Sequence, residues 1–175
     1  MDIKALQRPL RERYEADPGS AQVTLSVRSA PSDLGDPLHC AVAPDSVAGL
    51  RWRSGAHPAV GGVGDVACSG DLLLGALAAC QEVTLRMVAA NLRIELDHVE
   101  VVVEGDWDPR GTLAMGKEYP VGLTAISCRT TVRLSGEVNE ERAARLLRSA
   151  ERYCVVLNTL RGGVDVSSTF EIASI

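Results

Sequence analysis

The spacing of hydrophobic positions along this chain changes period several times, and each change marks an element. Ile3, Leu6, Leu10 and Tyr14 recur at helical spacing, interrupted by Pro9 and closed by Asp17-Pro18-Gly19. Residues 1–20 are therefore expected to form an N-terminal helical segment ahead of a single domain over 21–175. Val23, Leu25 and Val27 then alternate with polar residues, a strand signal. Further strands are expected over 39–43 and 47–53, separated by Pro44-Asp45. Gly55, Pro58, Gly61, Gly62, Gly64 and Gly70 make 54–70 a long loop. It delivers the chain to a helix over 71–92, apolar nearly all round, with Ser69 and Asp71 both suited to its start.

The remainder alternates in the same way. A strand is expected over 99–104, followed by a polar turn over 105–111. From 126 to 134 the pattern is clean: Ile126, Cys128, Thr130, Val132 and Leu134 share one face, and Ser127, Arg129, Thr131 and Arg133 share the other. That is a sheet with one wet side. Asn139 is placed to cap a helix opening with Glu140-Glu141 and running to Tyr153. The stretch 154–161 and a Gly162-Gly163 stop come next, and Val164, Val166, Ser168, Phe170 and Ile172 predict a last strand. The fold class is α+β, with mostly antiparallel strands and two principal helices.

Composition narrows the function. With 23 acidic against 18 basic side chains and a net charge of −5, the chain lacks the basic face of a nucleic-acid binder. One Phe, three Tyr and two Trp leave no base-stacking platform. The start lacks the apolar run of a signal peptide, and the greasiest stretch, 72–80, is too short to span a bilayer, so a cytoplasmic protein without a membrane partner is expected. His39, His57 and His98 are scattered without ligand spacing, so neither a metal nor another cofactor is expected.

Five cysteines, at 40, 68, 80, 128 and 154, form an odd set with no CxxC pair, which argues against a disulfide framework or a zinc ribbon. Cys128 sits on the apolar face of its strand and reads as a small core residue. Cys80 shares a helix face with Leu73, Ala76, Leu77, Val83, Thr84 and Met87. Spacing alone leaves two readings of it, a buried core thiol or a nucleophile. Burial would keep the thiol protonated. The dipole of its own helix fades within the first turn, and Cys80 lies well inside it. A nucleophilic Cys80 is therefore expected to need a cation from elsewhere in the chain.

The stretch His57-Pro58-Ala59-Val60-Gly61-Gly62, followed by Gly70-Asp71-Leu72-Leu73-Leu74-Gly75-Ala76-Leu77-Ala78-Ala79-Cys80, resembles the signature of the OsmC/Ohr family. There a Gly-Gly loop leads into a Leu/Ala-rich helix carrying a reactive cysteine. Ala150-Glu151-Arg152-Tyr153-Cys154-Val155-Val156-Leu157 resembles the segment with the family's second cysteine. The resemblance implies an intertwined homodimer whose two central helices pack beneath six-stranded sheets. It further implies thiol-dependent reduction of organic hydroperoxides. Cys80 would form a sulfenic acid, Cys154 would resolve it to a disulfide, and a small or protein-bound dithiol would restore both thiols.

The chain departs from that pattern at three places. Ser69 and Gly70 stand where peroxidase members carry a Pro-Glu pair whose glutamate orients an arginine, and Asp71 lies one place along. Val155 replaces the proline that usually follows the second cysteine. For the arginine, Arg28 matches one family precedent loosely, and Arg51 and Arg53 match the other, with Arg53 nearest the loop. Catalytic candidates are thus Cys80, Cys154, Arg53 and Arg51. The alternatives are a thiol redox sensor using the same cysteine pair and a non-catalytic binder of an apolar ligand.

Overall fold

The computed structural model of the protein describes residues 2–172. Helix α1 (Ile3–Ala16) is capped by Asp2, whose carboxylate accepts from the Ala5 amide at 3.1 Å, and it runs on through Pro9. Three antiparallel strands follow, β1 (Val27–Ala30), β2 (His39–Pro44) and β3 (Trp52–Gly55), in the order β1-β2-β3. The expected first strand was set too early, because Val23 and Leu25 are exposed and outside any strand. The third starts later than expected, since 45–51 form the turn that returns the chain alongside β2. This small sheet stands apart from the helices. Its tie to the rest runs through the Gly-rich loop, where Gly55 bridges to Cys68.

The second sheet is a long hairpin, β4 (Leu96–Trp107) with β5 (Leu123–Leu134), paired from Leu96↔Leu134 to Trp107↔Leu123. Both strands extend beyond their alternating cores in sequence. The turn expected over 105–111 starts only after Trp107, and it contains a short helix, α3 (Pro109–Thr112), capped by Asp108. Along β5, Cys128, Thr130, Val132 and Leu134 turn inward as the alternation predicts, but Ile126, expected on the same face, is exposed.

Helix α2 (Ser69–Leu92) is the spine, packed against β4, α4 (Glu140–Tyr153), α5 (Val155–Gly162) and α1. Leu85, Ala89, Leu146 and Ala150 interlock between α2 and α4, and Ile94 closes that core. Asn139 caps α4 by accepting from the Arg142 amide at 2.9 Å. The Arg142 guanidinium in turn donates to the Leu92 carbonyl at 2.7 Å, fixing α4 antiparallel to α2. By length and composition α2 is apolar enough to cross a membrane, a longer run than 72–80 alone indicates. Only 22% of its most apolar window is buried within the chain.

The expected last strand is not formed. Residues 164–172 pair with no strand, and Phe170 is 94% exposed. A strand exists only beside a neighbour that accepts its ladder, and among the described residues no strand pairs with that segment.

Candidate active site

The loop before α2 owes its shape to two adjacent glycines. Gly61 has φ +92°, the left-handed region open to glycine. At Gly62 a Cβ would fall 1.7 Å from the Ala56 carbonyl oxygen, so no side chain fits. His57 stabilises the turn by accepting the Ala59 amide on Nδ1 at 3.0 Å, and its ring meets Trp107 edge-on at 5.6 Å. Helix α2 then starts from Cys68, not from Ser69 or Asp71. The Asp71 carboxylate accepts the Cys68 amide at 2.8 Å, the reciprocal half of a capping box. Asp71 is thereby committed to the helix cap.

Cys80 lies about three turns into α2, and its surroundings come from the other end of the chain. Helix α4 stops at Tyr153, Cys154 is extended (φ −72°, ψ 105°), and α5 begins at Val155. Asn158 holds this break by donating from Nδ2 to the carbonyls of Cys154 at 2.8 Å and Arg152 at 3.1 Å. The first turn of α5 consequently faces Cys80. Burial pushes the Cys80 thiol up, but four donors outweigh it: the Val156 amide, the Cys154 thiol, the Thr84 hydroxyl and the Val155 amide. These are the long, soft contacts that sulfur accepts. The net result is a thiol below its ordinary value.

Cys154 is fully buried and shifts the opposite way. Burial pushes it up; the Leu157 amide pulls it back, but donation to Cys80 and the nearby sulfurs of Cys80 and Cys128 raise it again. Cys128 is raised mainly by burial, against smaller opposing effects of the Thr130 hydroxyl and Arg161. Cys68 is partly buried at the helix start and Cys40 is exposed on β2. All five are free thiols.

The structure thus brings Cys80 and Cys154 together and leaves the arginines elsewhere. Arg53 is solvent-exposed on β3, 4.0 Å from Asp65, and Arg51 is exposed just before β3. Arg28 is bidentate to Asp45, with contacts of 2.7 and 2.6 Å. Among the described residues no arginine is one of the main groups that shift Cys80. The expectation that a cation must activate Cys80 missed the amides of a second helix. The Gly162-Gly163 stop marks the end of a short segment after Cys154, but residue identities give no sign that its first amides face Cys80. Thr84, one turn beyond Cys80, was read only as a member of its helix face.

Among the described residues no cluster of His, Cys, Asp and Glu could hold a metal ion. What this arrangement offers chemically is one acidified, partly exposed thiol beside one buried, protonated thiol.

The sequence pattern of the family described as "OsmC-like protein" matches residues 62–169. No curated protein sequence matches the chain. Solved structures similar to it in fold include these three. An OsmC-like protein from Mycoplasma pneumoniae is 16% identical, with TM-score 0.63, covering 81% of this chain and 90% of that one. An organic hydroperoxide resistance protein OsmC from Legionella pneumophila is 21% identical, with TM-score 0.59, covering 83% and 94%. An organic hydroperoxide resistance protein from Elizabethkingia anophelis is 19% identical, with TM-score 0.57, covering 82% and 91%.

Proposed function

Since this chain belongs to the OsmC-like protein family, whose pattern spans residues 62–169, we propose that it is a cysteine-based peroxidase acting on organic hydroperoxides. The observation that carries this reading is the pair of opposed thiols, with Cys80 acidified by the first amides of α5 and Cys154 kept protonated against it. The Cys80 thiolate attacks the distal peroxide oxygen and breaks the O–O bond. The alcohol leaves after taking up one proton, and Cys80 becomes a sulfenic acid. The Cys154 thiol then displaces water from that sulfur to close a disulfide. A dithiol reopens it by exchange, being itself oxidised to a disulfide, and both thiols return. Leu77 and Ala76, beside Cys80 on α2, favour an alkyl or aryl peroxide over a small polar oxidant.

The same reading takes the working molecule as a homodimer. An α2 helix with most of its apolar window uncovered, and a β1–β3 sheet with no helix packed on it among the described residues, both call for a second copy. Arg53, or else Arg51, is assigned to the Cys80 of that second copy.

Steady-state consumption of cumene hydroperoxide with dithiothreitol tests the reading. Cys80→Ser should abolish turnover, and Cys154→Ser should leave one burst followed by slow recycling. A wild-type protein that forms the disulfide but does not turn over would be a thiol redox sensor. The engagement of Asp71 in the helix cap, which leaves no carboxylate there to orient an arginine, favours that second role.

A further inference from the structure

His39 and Arg53 share one face of the β2–β3 pair. His39 stands opposite Gly55, and Ala41 opposite Arg53, so the imidazole and the guanidinium are diagonal neighbours on that face. Gly55 leaves the room between them, since a Cβ there would lie 3.0 Å from His39 Cδ2 and 2.9 Å from Val66 Cγ2. Into this space the loop before α2 brings one carboxylate. Asp65 Oδ1 is 2.8 Å from His39 Nε2, whereas Asp65 Oδ2 is 4.0 Å from the Arg53 guanidinium, beyond hydrogen-bond reach. The other ring nitrogen of His39, Nδ1, meets Asp36 at 2.7 Å. Asp65 thus faces two cations and is bonded to one.

Both partners of the ring only accept, so this arrangement requires protons on both nitrogens. A neutral ring keeps one N–H and turns a lone pair toward the second carboxylate. Asp36 is the partner it keeps, being three positions away with its Oδ1 fixed by the Leu38 amide at 2.9 Å. Asp65 comes from 26 residues away and has a second cation beside it. A shift of roughly 1 Å would bring its Oδ2 within hydrogen-bond distance of Arg53. The loop itself can stay in place. The Gly55 amide and the Ser54 hydroxyl both donate to the Ala67 carbonyl, at 3.2 and 3.0 Å, and the Ala56 amide donates to the Leu38 carbonyl at 2.8 Å.

The other charged or titratable groups around the ring are engaged or turned away. Arg28, on the same face from β1, is bidentate to Asp45. Asp33 accepts the Gly35 amide at 2.8 Å. His57 is turned to Trp107, and Cys68 and Asp71 belong to the start of α2. Cys40 alternates to the opposite face of β2. Arg53, its side chain 70% exposed, has no other acidic partner among the described residues.

We propose that Asp65 is handed from His39 to Arg53 when the His39 ring loses a proton, so that Arg53 is free to reach beyond its own sheet while His39 is charged and is tied down once it is neutral. His39 sets the state and Asp65 moves; both are positioning residues for Arg53. Resting on the reading above, in which Arg53 serves the Cys80 of a second copy, the handover withdraws that cation from the thiol as the solution becomes alkaline. The pull of Asp65 first and then Asp36 holds the ring above its ordinary 6.5, so the free state of Arg53 persists above that pH.

Nitrogen NMR of the full chain reads both ends of the handover. The guanidinium shifts of Arg53 should move with the same midpoint as the His39 ring and stay constant over that range in Asp65→Asn. The His39 midpoint should fall in Asp65→Asn and rise in Arg53→Gln, which removes the group that takes the carboxylate from the neutral ring. Arg53 shifts that ignore the His39 titration, or that follow it undiminished in Asp65→Asn, overturn the handover, as does a midpoint unmoved in both variants. Iodoacetamide labelling of Cys80 supplies the second arm. Arg53→Ala should slow labelling several-fold below the His39 midpoint and much less above it, whereas in an Asp65→Asn background the deficit should persist through that midpoint. A handover seen by NMR without any Arg53-dependent labelling removes Arg53 from the thiol site and leaves the handover standing.

Discussion

Cys80 and Cys154 perturb each other and are driven apart in acidity, Cys80 shifting down and Cys154 up. Both are penalised by burial. Cys80 collects more of the compensating donors, because α5 begins one residue after Cys154 and turns the Val155 and Val156 amides toward Cys80, leaving Cys154 the Leu157 amide alone. A break of a single residue between α4 and α5 thus supplies both the second thiol and the electrostatics of the first.

Cys80 should alkylate faster than Cys128 at neutral pH, since Cys80 is shifted down and Cys128 up. Iodoacetamide labelling followed by peptide mapping measures both in one sample. Thr84→Val removes one donor, worth about 1 kcal/mol or several-fold in thiolate population. The loss should vanish once pH exceeds the thiol pKa; a deficit persisting at high pH would mean that Thr84 acts on access rather than on acidity.

Arg53→Ala should slow Cys80 alkylation at neutral pH more than Arg51→Ala does, by placing one cation fewer near the thiolate of the second copy. The effect requires the dimer, so it should fade on dilution, alongside the dimer mass in light scattering. Unchanged pH-rate profiles in both variants would remove the arginines from the site.

Gly62→Ala puts a methyl group inside the Ala56 carbonyl. The loop has to move, and the start of α2 with it. Thermal unfolding should fall by several degrees, whereas Gly49→Ala, in open space although at φ +77°, should cost less.

His39 donates from Nδ1 to Asp36 at 2.7 Å and from Nε2 to Asp65 at 2.8 Å. Carboxylates only accept, so the ring carries both protons, and hydrogen bonds first to Asp65 and then to Asp36 hold it above its ordinary 6.5. That contribution is complete below 6.5 and disappears as pH rises through the raised value. Asp36 is held below 3.8 by the Leu38 amide and then His39, and Asp65 by His39 first; their share is present above 3.8 and lost on further acidification. Hydrogen exchange of the Gly55 and Ala56 amides should therefore be slowest between these limits, and His39→Gln should flatten the alkaline side.

Leu146 is fully buried between α2 and α4. Leu146→Ala should cost about 2–5 kcal/mol in urea unfolding, while Leu147→Ala, half exposed on the neighbouring position, should cost far less.

Much of this architecture was legible in the residues. The α2 and α4 helices and the inward face of β5 follow from periodicity, because each buries one side against a neighbour within the chain. The Gly-Gly loop was legible as a motif, and the structure supplies its reason in Gly61's φ and Gly62's lack of room. The last strand was not legible in the same sense: Val164 to Ile172 alternate correctly, yet alternation specifies a face and says nothing of a partner. The helix-start residue was misread because Cys68 takes the N-cap position and Asp71 answers from three residues on. At the site, the sequence could pair two cysteines by resemblance. It could not reveal that amides from α5 would take the place of a charged side chain, since backbone groups leave no trace in residue identity.

The donors gathered on Cys80 also bear on which way electrons run. A thiolate held by amide and hydroxyl groups is a reduced state made more comfortable, and a bond drawn from Cys80 to Cys154 gives up that comfort because the sulfur no longer carries charge. Oxidation is thereby disfavoured in proportion to the acidity gained, so the pair should sit at a more oxidising midpoint potential than an unassisted dithiol and surrender its disulfide readily to a passing reductant. Loss of the Thr84 hydroxyl should shift that potential negative, a change that redox titration against glutathione would detect. On the proposed peroxidase reading, the stop of one helix and the start of the next, a matter of backbone geometry around Asn158, would set how easily the oxidised protein is returned to use.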